Sequence, residues 1–251
     1  MRTLVGIRNP KTLGLVLCRK RIEWREMAIY SYIVTHDTGF SPNPFWGYGT
    51  LACCKPVIRR TARVGDWVVG LTPKSRGNRM VYAMEVTEVL GYDRYFDDAR
   101  FQAKKPVFDT EGVAGKCGDN IYKPGSGGSY IQLRSMHSKG KGEEQDSATK
   151  AHDLKGRNAL VARRFWYFGS QAIKLPKRLQ MLVTGRGHRK VEIASVIATF
   201  QAFIKQYEEG VAAPPCSPAS LIASNSPIRE PTAMGNGGFR CGCSPKAEKH
   251  L

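Results

Sequence analysis

Hydrophobic and polar positions change their period several times along the chain, and each change marks an element. Met27-Ala28-Ile29-Tyr30-Ser31-Tyr32-Ile33-Val34 is a β-branched and aromatic run that predicts a first strand. Residues 1–26 keep neither a period of two nor one of 3.6, so Met27 is read as the alternative start and 1–26 as an extension that does not fold. The stretch from His36 to Gly49 is rich in Gly and Pro and predicts a loop, and Thr50–Cys54 is a short strand or the start of a helix. Trp67–Leu71 and Met80–Leu90 predict an antiparallel hairpin across the basic loop Pro73–Asn78. Tyr92, Tyr95 and Phe96 form the apolar stripe of a short helix that Pro106 should end. Gly, Ser and Lys dominate from Asp109 to Lys150, where a loop is expected with Asn120–Tyr122 and Tyr130–Leu133 as short strands. Ala159–Phe168 is strand-like. Ile193, Val196, Ile197, Phe200, Phe203, Ile204 and Tyr207 recur at helical spacing and predict a last helix that covers a barrel or sheet. From Gly210 the chain turns to Pro, Ser, Ala and Gly, so 27–209 is read as one folded domain and 210–251 as a disordered tail.

Charge narrows the partner. Lys and Arg number 39 against 21 Asp and Glu, a net +18. Residues 1–28 hold seven basic residues against two Glu and residues 211–251 four against two, so +11 stays with the 182 residues between. The folded part itself therefore attracts polyanions, and nucleic acid is the expected partner. Seven cysteines, with the adjacent pair Cys53-Cys54, fit a reducing compartment, and the cytoplasm is the expected location. No run approaches the ~20 apolar residues of a membrane span. Cys241-x-Cys243 lacks the partners of a tetrahedral zinc site, so neither metal nor cofactor is expected.

Four polar constellations lie in predicted loops: His36-Asp37-Thr38-Gly39 with Asn43, Gly118-Asp119-Asn120, His137-Ser138 and Gly185-Arg186-Gly187-His188. The last offers flexible backbone and cationic groups before a helix, a setting that can hold a phosphate. Trp46 lies in the first loop beside Phe45 and Tyr48, and Trp166 follows Arg163-Arg164, so rings that stack on bases alternate with cations that hold a backbone. Core packing is the competing reading for Trp67, Tyr82 and the cluster Phe165–Phe168.

These motifs, with Tyr30-Ser31-Tyr32, Thr50-Leu51-Ala52-Cys53-Cys54-Lys55-Pro56, Gly65-Asp66-Trp67-Val68-Val69-Gly70 and Val81-Tyr82-Ala83-Met84, resemble in order and number the family called nucleotide modification associated domain, type 2, over about 28–205. The resemblance implies a place in the DNA-base modification systems of phages and bacteria, and with it DNA rather than RNA, or a nucleotide, as the expected partner. The opening aromatic strand, the basic stretch before Gly65-Asp66 and the late Gly-Arg turn also resemble PUA-like domains of the EVE and YTH type. That similarity implies an α+β fold built on a small mixed, mostly antiparallel β-barrel or curved sheet with flanking helices. It makes Trp46 and Trp166 candidate walls of a base pocket, has Asp119, Asn120 and His36 bond base edges, and has Lys55, Arg59 and Arg186 contact phosphate. Asn43 and Ser138 join the expected nucleic-acid contacts.

The leading expectation is a module that recognises a modified base or nucleotide. The rival is an enzyme that modifies a nucleotide or transfers a group onto it, with His36, Asp37, Asp119, His137 and His188 as its candidate acids and bases. Convergence of those side chains within hydrogen-bond reach would favour the enzyme.

Overall fold

The computed structural model describes residues 26–110, 112–139 and 145–217. In chain order its strands and helices are β1 (Ile29–Ile33), β2 (Gly49–Leu51), α1 (Pro56–Thr61), β3 (Trp67–Leu71), β4 (Met80–Glu85), β5 (Glu88–Gly91), α2 (Tyr92–Asp97), α3 (Val113–Lys116), β6 (Tyr122–Pro124), β7 (Tyr130–Gln132), α4 (Ser147–Asp153), β8 (Asn158–Ala162), β9 (Phe165–Tyr167), β10 (His188–Val191), α5 (Ala194–Ile204) and β11 (Gly210–Val211). The expected hairpin is β3 with β4, and the expected second strand divides at Val86-Thr87 so that its outer half, β5, joins another sheet.

Three sheets form. The largest runs β10-β1-β3-β4-β9-β11, the second β2-β8-β5, and β6 pairs with β7. Pairing is antiparallel except for β1 with β3 and β9 with β11. The fold is mixed α+β, as expected, but no sheet closes into a barrel: the six-stranded sheet stays open, with β10 and β11 at its edges.

Alternation along the strands of the large sheet supplies two cores. Ile29, Trp67, Val69, Ala83 and Trp166 face α5, where Ile197, Phe200 and Ile204 bury the predicted stripe. Tyr30, Tyr32, Val68, Tyr82, Met84 and Tyr167 face the second sheet and Ile58 of α1. The far side of that second sheet carries a third core, in which Tyr92, Tyr95, Phe101, Tyr122 and Tyr130 pack on Ala159 and Val161.

Two parts of the expected outline change. Residues 210–217, assigned to the tail, continue the fold: β11 extends the large sheet, and the Ser217 amide donates to the Asp37 carbonyl at 2.8 Å. The rest of the tail, and residues 1–25 of the expected extension, lie outside the described residues. Helix α4 stands in the stretch expected to be loop. Asp146 caps it, its carboxylate accepting from the amides of Ala148 and Thr149.

Trp166, expected as a pocket wall, is 1% exposed, tilts over Trp67 at 5.6 Å and donates its indole N–H to the Tyr207 carbonyl. Its role is packing. Trp166→Ala should cost about 3–5 kcal/mol of stability, read as a lowered urea midpoint.

Candidate active site

The site begins where β2 stops. Beyond Leu51 the chain turns through Cys54 and Lys55, whose φ values of 58° and 41° place two non-glycine residues in the left-handed region. Each costs roughly 1–2 kcal/mol, so other bonds must impose the turn. The Cys54 amide donates to Asp153 Oδ1 at 2.7 Å, and the Cys54 carbonyl accepts from Arg59 Nε at 2.6 Å. Pro56 then opens α1 with the φ that a first helical position needs. The half-buried Cys54 side chain is left facing an imidazole, its Sγ 3.4 Å from His137 Nε2.

His137 stands on a tight turn. The Ser138 amide donates to the Ser135 carbonyl at 3.0 Å, the Ser135 amide donates to Ser138 Oγ at 3.0 Å, and Gln132 Nε2 donates to the His137 carbonyl at 2.9 Å. Phe40 meets the ring edge-on at 4.7 Å between centroids. His137 Nδ1 lies 2.9 Å from Asp153 Oδ2, so the carboxylate takes the Nδ1 hydrogen and Nε2 is left to exchange a proton with the thiol. The His137 side chain is 18% exposed and Asp153 fully buried, an arrangement in which the base can be reached but its orienting partner cannot.

Asp153, the last residue of α4, receives more than the imidazole. Tyr122 donates its hydroxyl to Oδ2 at 2.7 Å, and Arg59 Nη2 lies 3.6 Å from Oδ1. One carboxylate thus fixes the backbone of Cys54 and the ring of His137 together. Gly156 allows this approach, because a Cβ there would run into the Pro56 backbone.

Charge in the cluster is mutually supporting. Burial alone would push the Asp153 carboxyl up, but the hydrogen bond and charge of His137, with Arg59 and Tyr122, hold it below its ordinary value. Burial pulls His137 down, yet the facing Cys54 and the hydrogen bonds to Asp153 and Cys54 outweigh it and push the imidazole up to about 10.

Of the residues singled out in the sequence, His137 alone of the five candidate acids and bases belongs to this cluster. Ser138 builds the turn that presents it, and Lys55 follows Cys54. His36 is exposed, and Asp37 is buried, accepting from the Tyr167 hydroxyl and from the Cys216 amide at 3.1 Å. Asp119 accepts from Thr50 Oγ1 and the Tyr95 hydroxyl, both at 2.7 Å, and Asn120 Nδ2 donates to the carbonyls of Tyr95 and Phe101. Asn43 Oδ1 accepts from the buried Lys104 ammonium at 2.6 Å, which also holds the carbonyls of Phe45 and Tyr48. Asp119, Asn120 and Asn43 thus brace the first loop through bonds to other protein groups. Trp46 sits half-buried in that loop under Lys104 Nζ at 5.6 Å from its ring. Arg59 has no exposed side-chain surface and its donors are spent on backbone carbonyls and the Tyr92 hydroxyl, so it cannot meet a phosphate. Arg186 is exposed before β10, and His188 lies on that strand against Tyr30.

Cys54 and Asp153 were not among the sequence candidates. The adjacent cysteines had signalled only a reducing compartment, and Asp153 belongs to the unpredicted helix. The atoms of Cys53, His137 and Asp153 also lie within 4.8 Å of one another, a sulfur, nitrogen and oxygen set of the kind zinc accepts. Both imidazole nitrogens and both carboxylate oxygens are already engaged, and burial pushes the Cys53 thiol well up, which opposes the thiolate a metal needs. A groove of about 370 Å³ lined by Lys174, Leu175, Pro176, Gln180 and Phe203 lies on the α5 side and contains none of these residues.

A thiol, an imidazole and a buried carboxylate in series, on an α+β scaffold, define the class of site. A model of the family described as nucleotide modification associated domain 2 matches residues 26–222, and the chain belongs to that family. No curated protein and no solved structure matches it. Among the described residues no helix is long and apolar enough to cross a membrane.

The raised His137 value carries a sign. The protonated imidazole adds stability that is fully present below its ordinary 6.5 and fades as pH rises toward about 10. Urea unfolding of the wild type should therefore weaken over that interval, and His137→Gln should flatten the alkaline decline. A slope unchanged by the substitution would show that the pair does not form.

Proposed function

We propose that the protein is a thiol-dependent enzyme of a nucleotide modification system, with Cys54 as nucleophile, His137 as general acid and then base, and Asp153 as the group that orients it. The observation that carries this reading is the chain of contacts from Cys54 Sγ to His137 Nε2 at 3.4 Å and from His137 Nδ1 to Asp153 at 2.9 Å. A nucleophile held against a base that a third group orients is the arrangement acyl transfer requires. The inward roles of Trp166, Asp119 and Asn120 weigh against the base-reading alternative, which needs those groups in a ligand pocket.

The reaction class is transfer of an acyl group to an amine of a nucleotide base. With its pKa raised, His137 already holds a proton at Nε2 in the resting site; the Cys54 sulfur electron pair forms a bond to the donor's carbonyl carbon, the bond to the leaving group breaks, and the leaving group departs with the proton given by the imidazolium. The base amine then attacks the thioester carbonyl, the C–S bond breaks with its electron pair returning to sulfur, and the neutral His137 takes the proton the amine loses, which restores the starting state. Atoms and charge balance across the two halves, and Asp153 keeps the imidazole turned toward sulfur throughout.

Acid-quenched peptide mass spectrometry after incubation with a panel of acyl thioesters tests the first half. A hydroxylamine-labile adduct on Cys54 is expected in the wild type, none in Cys54→Ser, and one forming about 10²-fold slower or more in His137→Gln. An adduct confined to other cysteines, or none with any donor, would contradict the proposal.

A further inference from the structure

The residue after the nucleophile is a cation. Lys55 is half-buried, its Nζ stands 4.8 Å over the Tyr32 ring, and among the described residues it makes no ion pair. Tyr32 pairs across the strands with His188, and Tyr30 with Lys190, so both β10 side chains lie on the tyrosine face of the sheet, the face on which Lys55 stands over Tyr32. His188 packs on Tyr30 at 6.3 Å and has no acidic partner among the described residues, while Lys190 is paired with Glu192 at 2.5 Å.

A lysine and a histidine held over neighbouring tyrosine rings, with no carboxylate paired to either among the described residues, are poised for an anion from outside. The electrostatics agree. Burial pulls Lys55 down, partly countered by Cys54, and burial followed by the charge of Lys55 pulls His188 down. The charged form of each is thus opposed by desolvation, and that of His188 also by a like charge, and an arriving anion would favour both charged forms.

We infer that Lys55 and His188 form a phosphate-binding subsite beside Cys54, which holds a phosphate of the nucleotide substrate while its base meets the thiol. This rests on the thiol chemistry proposed above and adds the feature of the substrate that the site recognises. A polynucleotide backbone and a free nucleotide share that phosphate, and they differ in what they leave exposed around it.

Charge-selective alkylation tests the subsite without the natural substrate. Iodoacetate and iodoacetamide attack the same sulfur and differ in charge, so the ratio of their rates at Cys54, read by peptide mass spectrometry, reports a local anion preference independent of thiol reactivity. Lys55→Gln should lower that ratio about tenfold, between the effects of one charge at ~6 Å in water and near a protein surface. His188→Gln should lower it less. Arg189→Gln, which removes a charge from the opposite face of the same strand, should leave it unchanged.

Inorganic phosphate should slow iodoacetate in the wild type and not in Lys55→Gln. A ratio equal in wild type and Lys55→Gln, or equal losses in Lys55→Gln and Arg189→Gln, would overturn the subsite while leaving the thiol chemistry standing. Calorimetry with deoxynucleoside 5′-monophosphates and a mixed-sequence 12-mer covers a thiol inert to both reagents. Binding weakened in Lys55→Gln supports the subsite, and unchanged binding overturns it. Tighter binding of the monophosphates points to free nucleotides, and tighter, salt-sensitive binding of the 12-mer to a polynucleotide.

Discussion

Two charges out of reach of water, the Arg59 guanidinium and the Asp153 carboxylate, hold the site together. Neither side chain has exposed surface, and they stand 3.6 Å apart. Such a pair persists only when the remaining donors and acceptors are also satisfied. Arg59 meets that condition with the carbonyls of Cys54, Asp153, Gly156 and Asn158 and the Tyr92 hydroxyl, and Asp153 with the Cys54 amide, Tyr122 and His137. Three separate stretches of chain are thereby drawn to one point: the turn after β2, the end of α4 and the turn bearing His137. The left-handed backbone at Cys54 and Lys55 is a consequence, since the bonds on both sides of Cys54 fix its peptide groups.

A second buried network does similar work one layer away. Lys104, Asn43 and Asp119 tie the first loop to the segment before β6, and burial lowers Lys104 to about 8 while raising Asp119. Its groups point inward to carbonyls and hydroxyls, which separates it from the thiol cluster, where the Cys54 and His137 side chains keep some surface. The distinction between bracing and reacting rests on that exposure, because both networks are rich in the same residue types.

Much of the scaffold was legible in the sequence because period and burial coincide in it. β3 and β4 were visible as apolar runs around a basic loop, and α5 as a stripe whose members Ile197, Phe200 and Ile204 do reach the core. Helix α4 was hidden: Ser147–Asp153 has no apolar stripe, and its stability comes from the Asp146 cap and from what Asp153 binds in tertiary structure. The candidate site was legible only in part for the same reason. His137 stood out as a histidine in a loop motif, whereas Cys54 and Asp153 lie 99 positions apart and acquire meaning through Arg59, which the sequence offered as a surface cation. Trp166 misled in the opposite direction, since an aromatic beside two arginines reads equally as a stacking platform or as a core residue, and only the sheet register decides.

The family assignment supplies nucleotide modification as the setting, and the thiol, imidazole and carboxylate supply a chemistry for it. The account stands on the coupling of Cys54 to His137. The most direct measurement is the rate of Cys54 carbamidomethylation by iodoacetamide at pH 7 in the wild type and in His137→Gln, followed on the Cys54 peptide and compared with Cys216. The account predicts that the substitution slows Cys54 by at least about tenfold and leaves Cys216 unaffected. Equal Cys54 rates in the two proteins would contradict it.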